Sequence, residues 1–389
     1  MKLVLAGGGH SHALVLRRWA RQRRGQKRRR WQWEGWRLQP QRQGGGLARA
    51  LNGEADGEAD GTHAQLTLVS RSPLLLYSGL VPGLLAGLHH RDRCSVNLEE
   101  LCRAAGVRFL QAEISGLDPE RRLLHLEQGP ALPWDWLSLD VGAVGNPAGD
   151  ALAVKPLEPL LNWLSAQDTT PPDAPVRIRG GGAAALEVAL GLRGRGRAVQ
   201  LLLRGEGLHL GPARANRLGE QLLQTAAVIM QRSTPESAPA TLACTGGRGP
   251  QWLAAAGLPV DGQGRLQCST TLQVQGWPRI LASGDCAVVS ATPRPPAGVW
   301  AVAQAPTLAR NLEQLMARGS SAPDTLHLQR WRPRRHALQL LADCSNPAQP
   351  RALLVWGRLC LGPSRWLWRW KQWIDHRFVR SFTDGIRPR

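Results

Sequence analysis

No CxxC pair occurs anywhere in the 389 residues. The seven cysteines, Cys94, Cys102, Cys244, Cys268, Cys286, Cys344 and Cys360, stand apart and are odd in number. That excludes a dithiol redox motif and a zinc ribbon, and it points to reduced thiols packed as small hydrophobes. Long apolar runs are missing too. The longest, "LLLYSGLVPGLLAGL" at Leu74–Leu88, carries Pro82 and three glycines. It falls short of the roughly 20 residues that a membrane-spanning helix needs. The first residues hold one lysine and then glycines, with no clean apolar segment, so no signal peptide is expected. These absences fit a cytoplasmic protein. Lysine is scarce as well, at positions 2, 27, 155 and 371 only, so the cations are nearly all arginine.

What is present is ordinary in bulk and unusual in places. The length suggests two or three domains of roughly 150 residues each. An apolar fraction of 43% and a charged fraction of 20% suit a soluble globular chain. The net charge of +20 invites a nucleic-acid reading. The charge is uneven, however. Arg17 to Arg42 holds eleven basic residues and one acid, Glu34, which is half of the excess.

Residues 21–62 are low in complexity, with an arginine cluster, Trp31, Trp33 and Trp36, a glycine triplet and a tandem GEAD. They read as an inserted, largely disordered loop. Such a segment has the chemistry to bind nucleic acid or anionic lipid. Its place within a regular α/β pattern favours a solvated excursion over nucleic acid.

Around that insertion the pattern is regular. "KLVLA" at Lys2–Ala6 reads as a strand and His10–Ala20 as a helix, and "AQLTLVSRS" resumes as a strand. This is one βαβ unit stretched by its connection. A second unit has normal spacing: "VRIR" is a strand, "GGGAAALEVALGLRGRGR" a glycine turn into a helix, and "AVQLLLRG" the next strand. "ATLACTGG" and "PRILASGDCAVV" are strands running into glycine-containing turns, and 298–316 reads as a helix.

Both glycine turns follow a strand and open a helix. A helix N-terminus has unpaired N–H groups and a positive dipole end, so it attracts phosphate. Glycine lets a diphosphate approach with no Cβ in the way. The first turn supplies Gly7 and Gly9, with His12 at the third fingerprint place. The second supplies Gly180 and Gly182, with Ala185 at the third place and Glu187 two residues on. Two such turns on one chain point to two dinucleotides, a bound flavin and an exchangeable nicotinamide. Asp285 in "SGD", at a strand end, has the chemistry to accept hydrogen bonds from ribityl hydroxyls.

These stretches, with "LTLVSRSPLLLYSGLVPGLLAG", "LSLDVGA", "VKPLEPLL", "PPAGVWAVAQAPTLARNL" and "WRWKQWIDHRFVRSF", carry a family resemblance. The chain resembles the FAD-dependent pyridine nucleotide–disulfide oxidoreductase superfamily, near the type II NADH dehydrogenases. More closely it resembles the flavoprotein module fused ahead of selenide, water dikinase in some bacteria, cyanobacteria among them. The resemblance covers the flavoprotein module alone.

The resemblance implies an α/β chain with two Rossmann-like domains, the NAD(P) domain inserted in the FAD domain, and a small C-terminal α+β region. The expected boundaries are 1–150 and 261–320 for FAD, 151–260 for NAD(P) and 321–389 for the C-terminal region. It further implies that Gly7, Gly9, His10, Ser11 and His12 surround the FAD diphosphate. Ser70 and Arg71 would sit by the adenosine ribose, where relatives often carry an acid. "YSGLVPG" (Tyr77–Gly83) would lie near the flavin ring and "DVGA" (Asp140–Ala143, including Gly142) near the FAD. Gly284 and Asp285 would hold the ribityl chain. Gly180, Gly182, Ala185, Glu187 and Arg204 would belong to the NAD(P)H site.

Leu203 and Arg204 stand where an acid would grip an NAD ribose. That leaves an NADPH preference, weak nicotinamide binding or another donor as readings. With no CxxC, a quinone-like or other diffusible acceptor is expected. His10 and His12 read as backbone-bonding turn residues rather than proton carriers. Lys155 is either near the domain crossover or simply solvated.

In the tail, Trp366, Leu367, Trp370, Trp373, Ile374 and Phe378 recur at helical spacing, with Arg365, Arg369, Gln372 and His376 largely opposite. This apolar face either packs on the flavin domain or gives 365–378 a peripheral contact with the inner face of a membrane. The functional expectation is a flavoenzyme passing electrons from NAD(P)H through FAD to that acceptor. The alternative is a regulatory dinucleotide-binding module associated with selenium metabolism.

Overall fold

The computed structural model describes residues 1–34, 64–145, 149–167, 175–232, 240–319 and 327–384, and of 26–34 the backbone only. β1 (Lys2–Ala6) is followed by α1 (His10–Glu34) and β2 (Gln65–Ser70). Then come α2 (Leu98–Ala105), β3 (Arg108–Gln111) and β4 (Trp136–Leu139). β1 and β4 are almost wholly buried, which suits strands covered on both faces of a parallel sheet. α2 begins where Asn97 accepts the Glu100 N–H at 2.9 Å and ends at Gly106, whose φ is +70°.

The expected loop over 21–62 needs correction. α1 runs on to Glu34, because the arginine and lysine that raise the charge, and the glutamine among them, are good helix formers. Arg18 fixes this helix by a two-point grip on Glu313, at 2.6 and 2.8 Å. Residues 35–62, and the side chains of Trp31, Trp33 and Trp36, lie outside the described residues.

The middle of the chain builds a five-stranded sheet. Its strands are β5 (Leu152–Ala153), β6 (Val176–Arg179), β7 (Val199–Leu203), β8 (Ile229–Arg232) and β9 (Leu242–Ala243). Their order is β5-β9-β6-β7-β8, all parallel. α3 (Ala183–Gly194) follows β6.

The chain then returns to the first sheet with β10 (Leu266–Cys268), β11 (Gln273–Val274), β12 (Trp277–Ala282) and β13 (Ala287–Val289). That sheet has eight strands in the order β13-β10-β11-β12-β4-β1-β2-β3. The run from β3 to β12 is parallel. Strand order reverses between β1 and β4, and a doubly wound sheet opens a crevice at such a point. α4 (Gly298–Arg318) packs on α1.

The end of the chain forms an antiparallel sheet, β14 (Leu338–Asp343), β15 (Arg351–Trp356) and β16 (Leu359–Ser364), and then α5 (Arg365–Thr383). Ser364 caps α5 by accepting the N–H groups of Trp366 and Leu367. The fold is thus α/β with two Rossmann-like halves, the second interposed between strands of the first. Among the described residues no helix is long and apolar enough to cross a membrane.

The expected face of α5 also needs correction. The buried residues are Leu367, Trp368, Lys371, Asp375, Val379 and Phe382, while Trp366 and Trp373 are exposed. The inward stripe is turned because it contains an ion pair. Lys371 Nζ lies 2.6 Å from Asp375 Oδ2 and donates to Gly79 O at 2.6 Å, so both charges are satisfied inside.

Candidate functional site

A cleft of about 630 Å³ opens at the switch point. It is lined by the residues that follow β1 (Gly7–His10), β2 (Ser70–Ser72), β4 (Asp140–Val144) and β12 (Asp285). Lys155, Glu113 and Trp252 complete its wall.

The first glycine turn is built against Asp140. Gly7 has φ +97°, and a Cβ there would lie 2.3 Å from Asp140 O. A Cβ at Gly9 would fall 2.2 Å from the Asp140 carboxyl carbon. The carboxylate oxygen Oδ2 accepts the N–H of Ser11 at 2.8 Å and of His12 at 3.2 Å. Burial pushes the Asp140 carboxyl up to about 7, against the pull of those amides.

His12 replaces the third glycine and is fully buried. Its Nδ1 lies 2.7 Å from Gly7 O, and its Nε2 lies 2.8 Å from Ser138 Oγ. A carbonyl only accepts, so Nδ1 carries the proton and Nε2 accepts from the Ser138 hydroxyl. The ring is neutral, and burial holds its pKa down to about 4. His12 thus ties the helix to β1 and β4 and is not placed to move protons. Ser11 donates its hydroxyl to Ala301 O at 3.0 Å. The resemblance implies that Ser11 and His12 surround the diphosphate. They lie instead behind the cleft wall, because their polar groups are spent on Asp140, Ala301, Gly7 and Ser138. Gly284 is also behind it, with φ +73° and its N–H on Gln304 Oε1 at 2.8 Å.

Eleven of the residues expected at the flavin do line the cleft: Gly7, Gly9, His10, Ser70, Arg71, Ser78, Asp140, Val141, Gly142, Ala143 and Asp285. Asp285 Oδ2 pairs with Lys155 Nζ at 2.6 Å, while its Oδ1 is buried with no partner. Lys155 is therefore a wall residue of the site. His10 Nε2 is likewise buried and unpartnered. Its ring lies edge-on to Tyr77 at 5.7 Å, and burial lowers its pKa to about 4. Tyr77 stacks on Phe378 of α5 at 4.6 Å and donates to Asp375 Oδ1 at 3.0 Å. Burial and that carboxylate raise the phenol pKa. Glu113, Glu158 and Trp252 carry no local sequence signal that marks them as site residues.

The second turn is looser. Gly180 has φ +146°, and a Cβ there would lie 2.6 Å from Cys244 O. Gly182 opens α3, and a Cβ there would meet nothing within 4 Å. Ala185 is fully buried and serves helix packing. Arg204 follows β7 and is exposed. Glu187 requires correction. Its buried carboxylate accepts the Ala342 N–H of β14 at 2.8 Å, so it faces the C-terminal sheet and not a nucleotide. All seven cysteines are buried and free.

The cleft residues suit an FAD-like group. Gly7, Gly8 and Gly9 line the cleft, and two buried polar atoms at its wall, Asp285 Oδ1 and His10 Nε2, await partners.

No protein-family pattern matches the sequence, and no curated protein matches it either. Solved structures do share the fold. The sulfide:quinone oxidoreductase from the hyperthermophilic bacterium Aquifex aeolicus has a TM-score of 0.65 at 16% identity, over 100% of this chain and 92% of that one. Putidaredoxin reductase, in covalent complex with putidaredoxin, has a TM-score of 0.64 at 17% identity, over 91% and 81%. A ferredoxin reductase from Rhodopseudomonas palustris has a TM-score of 0.63 at 16% identity, over 91% and 82%. At such identities the likeness is one of fold.

Proposed function

We propose that this chain is a flavin-dependent oxidoreductase that takes electrons from NAD(P)H and passes them to a quinone-like or other diffusible acceptor, without a cysteine pair. Asp285 carries this reading. It is a half-buried carboxylate following a parallel strand at the cleft wall, with one oxygen held by Lys155 and the other buried without a partner. FAD supplies the hydride and electron chemistry when bound. Gly7, Gly9 and the free His10 amide would face its diphosphate, Asp285 Oδ1 would accept from its ribityl chain, and Lys155 orients that carboxylate. His10 lines the cleft and is backed by the rings of Tyr77 and Phe378.

Gly180 and Gly182 would receive the nicotinamide dinucleotide, with Arg204 favouring NADPH. The non-catalytic reading draws on the same strand end, where Leu203 and Arg204 replace a ribose-binding acid. Stopped-flow mixing separates the two. Bleaching of the visible flavin band by NADPH or NADH supports the enzyme, and a colourless protein that takes up no FAD on reconstitution refutes the flavin site.

The acceptor side is proposed to face a membrane surface. The outward stripe of α5 sets Trp366 (68% exposed) and Trp373 (58% exposed) among Arg365, Arg369 and Arg377. Indole and guanidinium together suit a lipid interface. Sedimentation with anionic vesicles tests this. Replacing both tryptophans by serine is expected to leave the protein in the supernatant, and unchanged sedimentation would reject the contact.

A further inference from the structure

A helix offers four unpaired N–H groups at its start. In α1 these belong to Gly9, His10, Ser11 and His12. Asp140 takes three of them. Its carbonyl accepts from Gly9 at 3.2 Å, and its Oδ2 accepts from Ser11 and His12. The amide of His10 is left for a ligand. A carboxylate therefore already sits where the helix dipole would draw a diphosphate. That carboxylate is 3% exposed and lines the cleft.

The other groups around it do not neutralise it. His10 and His12 on α1 are neutral rings. Cys286, just after Asp285, is a buried thiol whose pKa is raised. Lys155 is committed to Asp285, a second carboxylate on the same wall. α4 faces the spot with Ala301 and Gln304, which are uncharged. A dianionic diphosphate brought beside an ionised Asp140 would meet like charge in a site with little water to screen it.

We propose that Asp140 takes up a proton on Oδ1 when a diphosphate-bearing nucleotide enters the cleft, so that cofactor binding is coupled to one proton. Oδ2 keeps both amides, so the proton goes to the other oxygen. The inference rests on the flavin reading for the identity of the natural ligand and on the geometry of Asp140 for the coupling. Asp140 is then a positioning residue that also sets the pH range of cofactor retention.

The sign follows from linkage. Burial pushes the free carboxyl up to about 7, and a diphosphate beside it is expected to raise it further. Below the first value both states are protonated and affinity is flat. Between the two values, affinity falls about tenfold for each unit of rising pH. The test is calorimetric titration of the apoprotein with FAD above neutral pH, in two buffers of different ionisation enthalpy. The same titration with ADP-ribose supplies a diphosphate diester without the flavin.

Uptake of about one proton is expected with both ligands in the wild type. Asp140→Asn should abolish it and flatten the pH profile, while Asp285→Asn should weaken binding and keep it. A flat wild-type profile overturns the proposal, and so does uptake that persists in Asp140→Asn. Uptake with ADP-ribose but no FAD binding would remove the flavin reading and leave the coupling standing. Binding of neither ligand overturns both. The wild-type buffer dependence needs no variant, so a poorly folding substitution does not block the result.

Discussion

The two glycine turns use the same local grammar and live in different surroundings. At the first, a Cβ on Gly7 or Gly9 would run into Asp140 within 2.3 Å, and three of the four opening amides are already held. At the second, Gly180 is tight against Cys244, but Gly182 has nothing within 4 Å of a Cβ. The first turn is packed tightly against Asp140 at the cleft wall, so on the proposed function a ligand there would be long held. The second opens outward, as an exchangeable nucleotide requires.

The sharpest way to break this contrast is to add one methyl group to each turn. Gly9→Ala should displace the Asp140 carboxylate from its two amides. The expected cost is on the order of 3 kcal/mol, with loss of retained flavin. Gly182→Ala should change stability by no more than about 1 kcal/mol. Its effect should appear instead as a raised KM for the nicotinamide nucleotide, because the new Cβ crowds the approach of the diphosphate. Thermal melts and the flavin-to-protein ratio check both. Equal destabilisation by the two substitutions would mean that the turns do not differ.

Much of this contrast is legible in the residue order alone. The strands Lys2–Ala6 and Val176–Arg179 fall where the apolar runs place them, and both glycine turns lie between strand and helix. Those signals are local, set by periodicity and by glycine. What the residue order hides is long-range. Glu187 sits in the right sequence place for a nucleotide, but its carboxylate is claimed by Ala342, 155 residues later. The inward face of α5 departs from the tryptophan periodicity because Lys371 and Asp375 look like surface residues until each has the other and Gly79. Nothing distinguishes Lys155 from a solvated lysine until Asp285, 130 residues away, folds against it. α1 outruns its expected end because dense arginine suits a disordered segment and a helix alike, and composition alone does not separate the two.

His12 offers the next test, since it fills the third fingerprint place at the first turn, where the second uses Ala185. Its pKa is about 4 when folded against 6.5 in an unfolded chain. Between those values the unfolded state binds the extra proton, so stability falls as pH falls through this window. The difference between wild type and His12→Asn, measured by denaturant melts, should therefore shrink on the order of 3 kcal/mol from pH 6.5 to 4. A constant difference across that range would mean that the ring is charged in the fold and is not the neutral tie between Gly7 and Ser138.

The smallest expected effect belongs to the outward turn. Arg204 is exposed after β7, beside a strand that ends in Leu203, so neither residue accepts a ribose 2′-hydroxyl and a cation is available for a 2′-phosphate. Arg204→Asp reverses that charge without touching the core. The ratio of kcat/KM for NADPH to that for NADH should fall by about tenfold, which is about 1.4 kcal/mol of discrimination. Flavin content and melting temperature should stay as in the wild type, because the change is confined to the exchangeable side. If the substitution instead released flavin, the two turns would be coupled through the fold. The division of labour between a built-in ligand and a visiting one would then have to be given up.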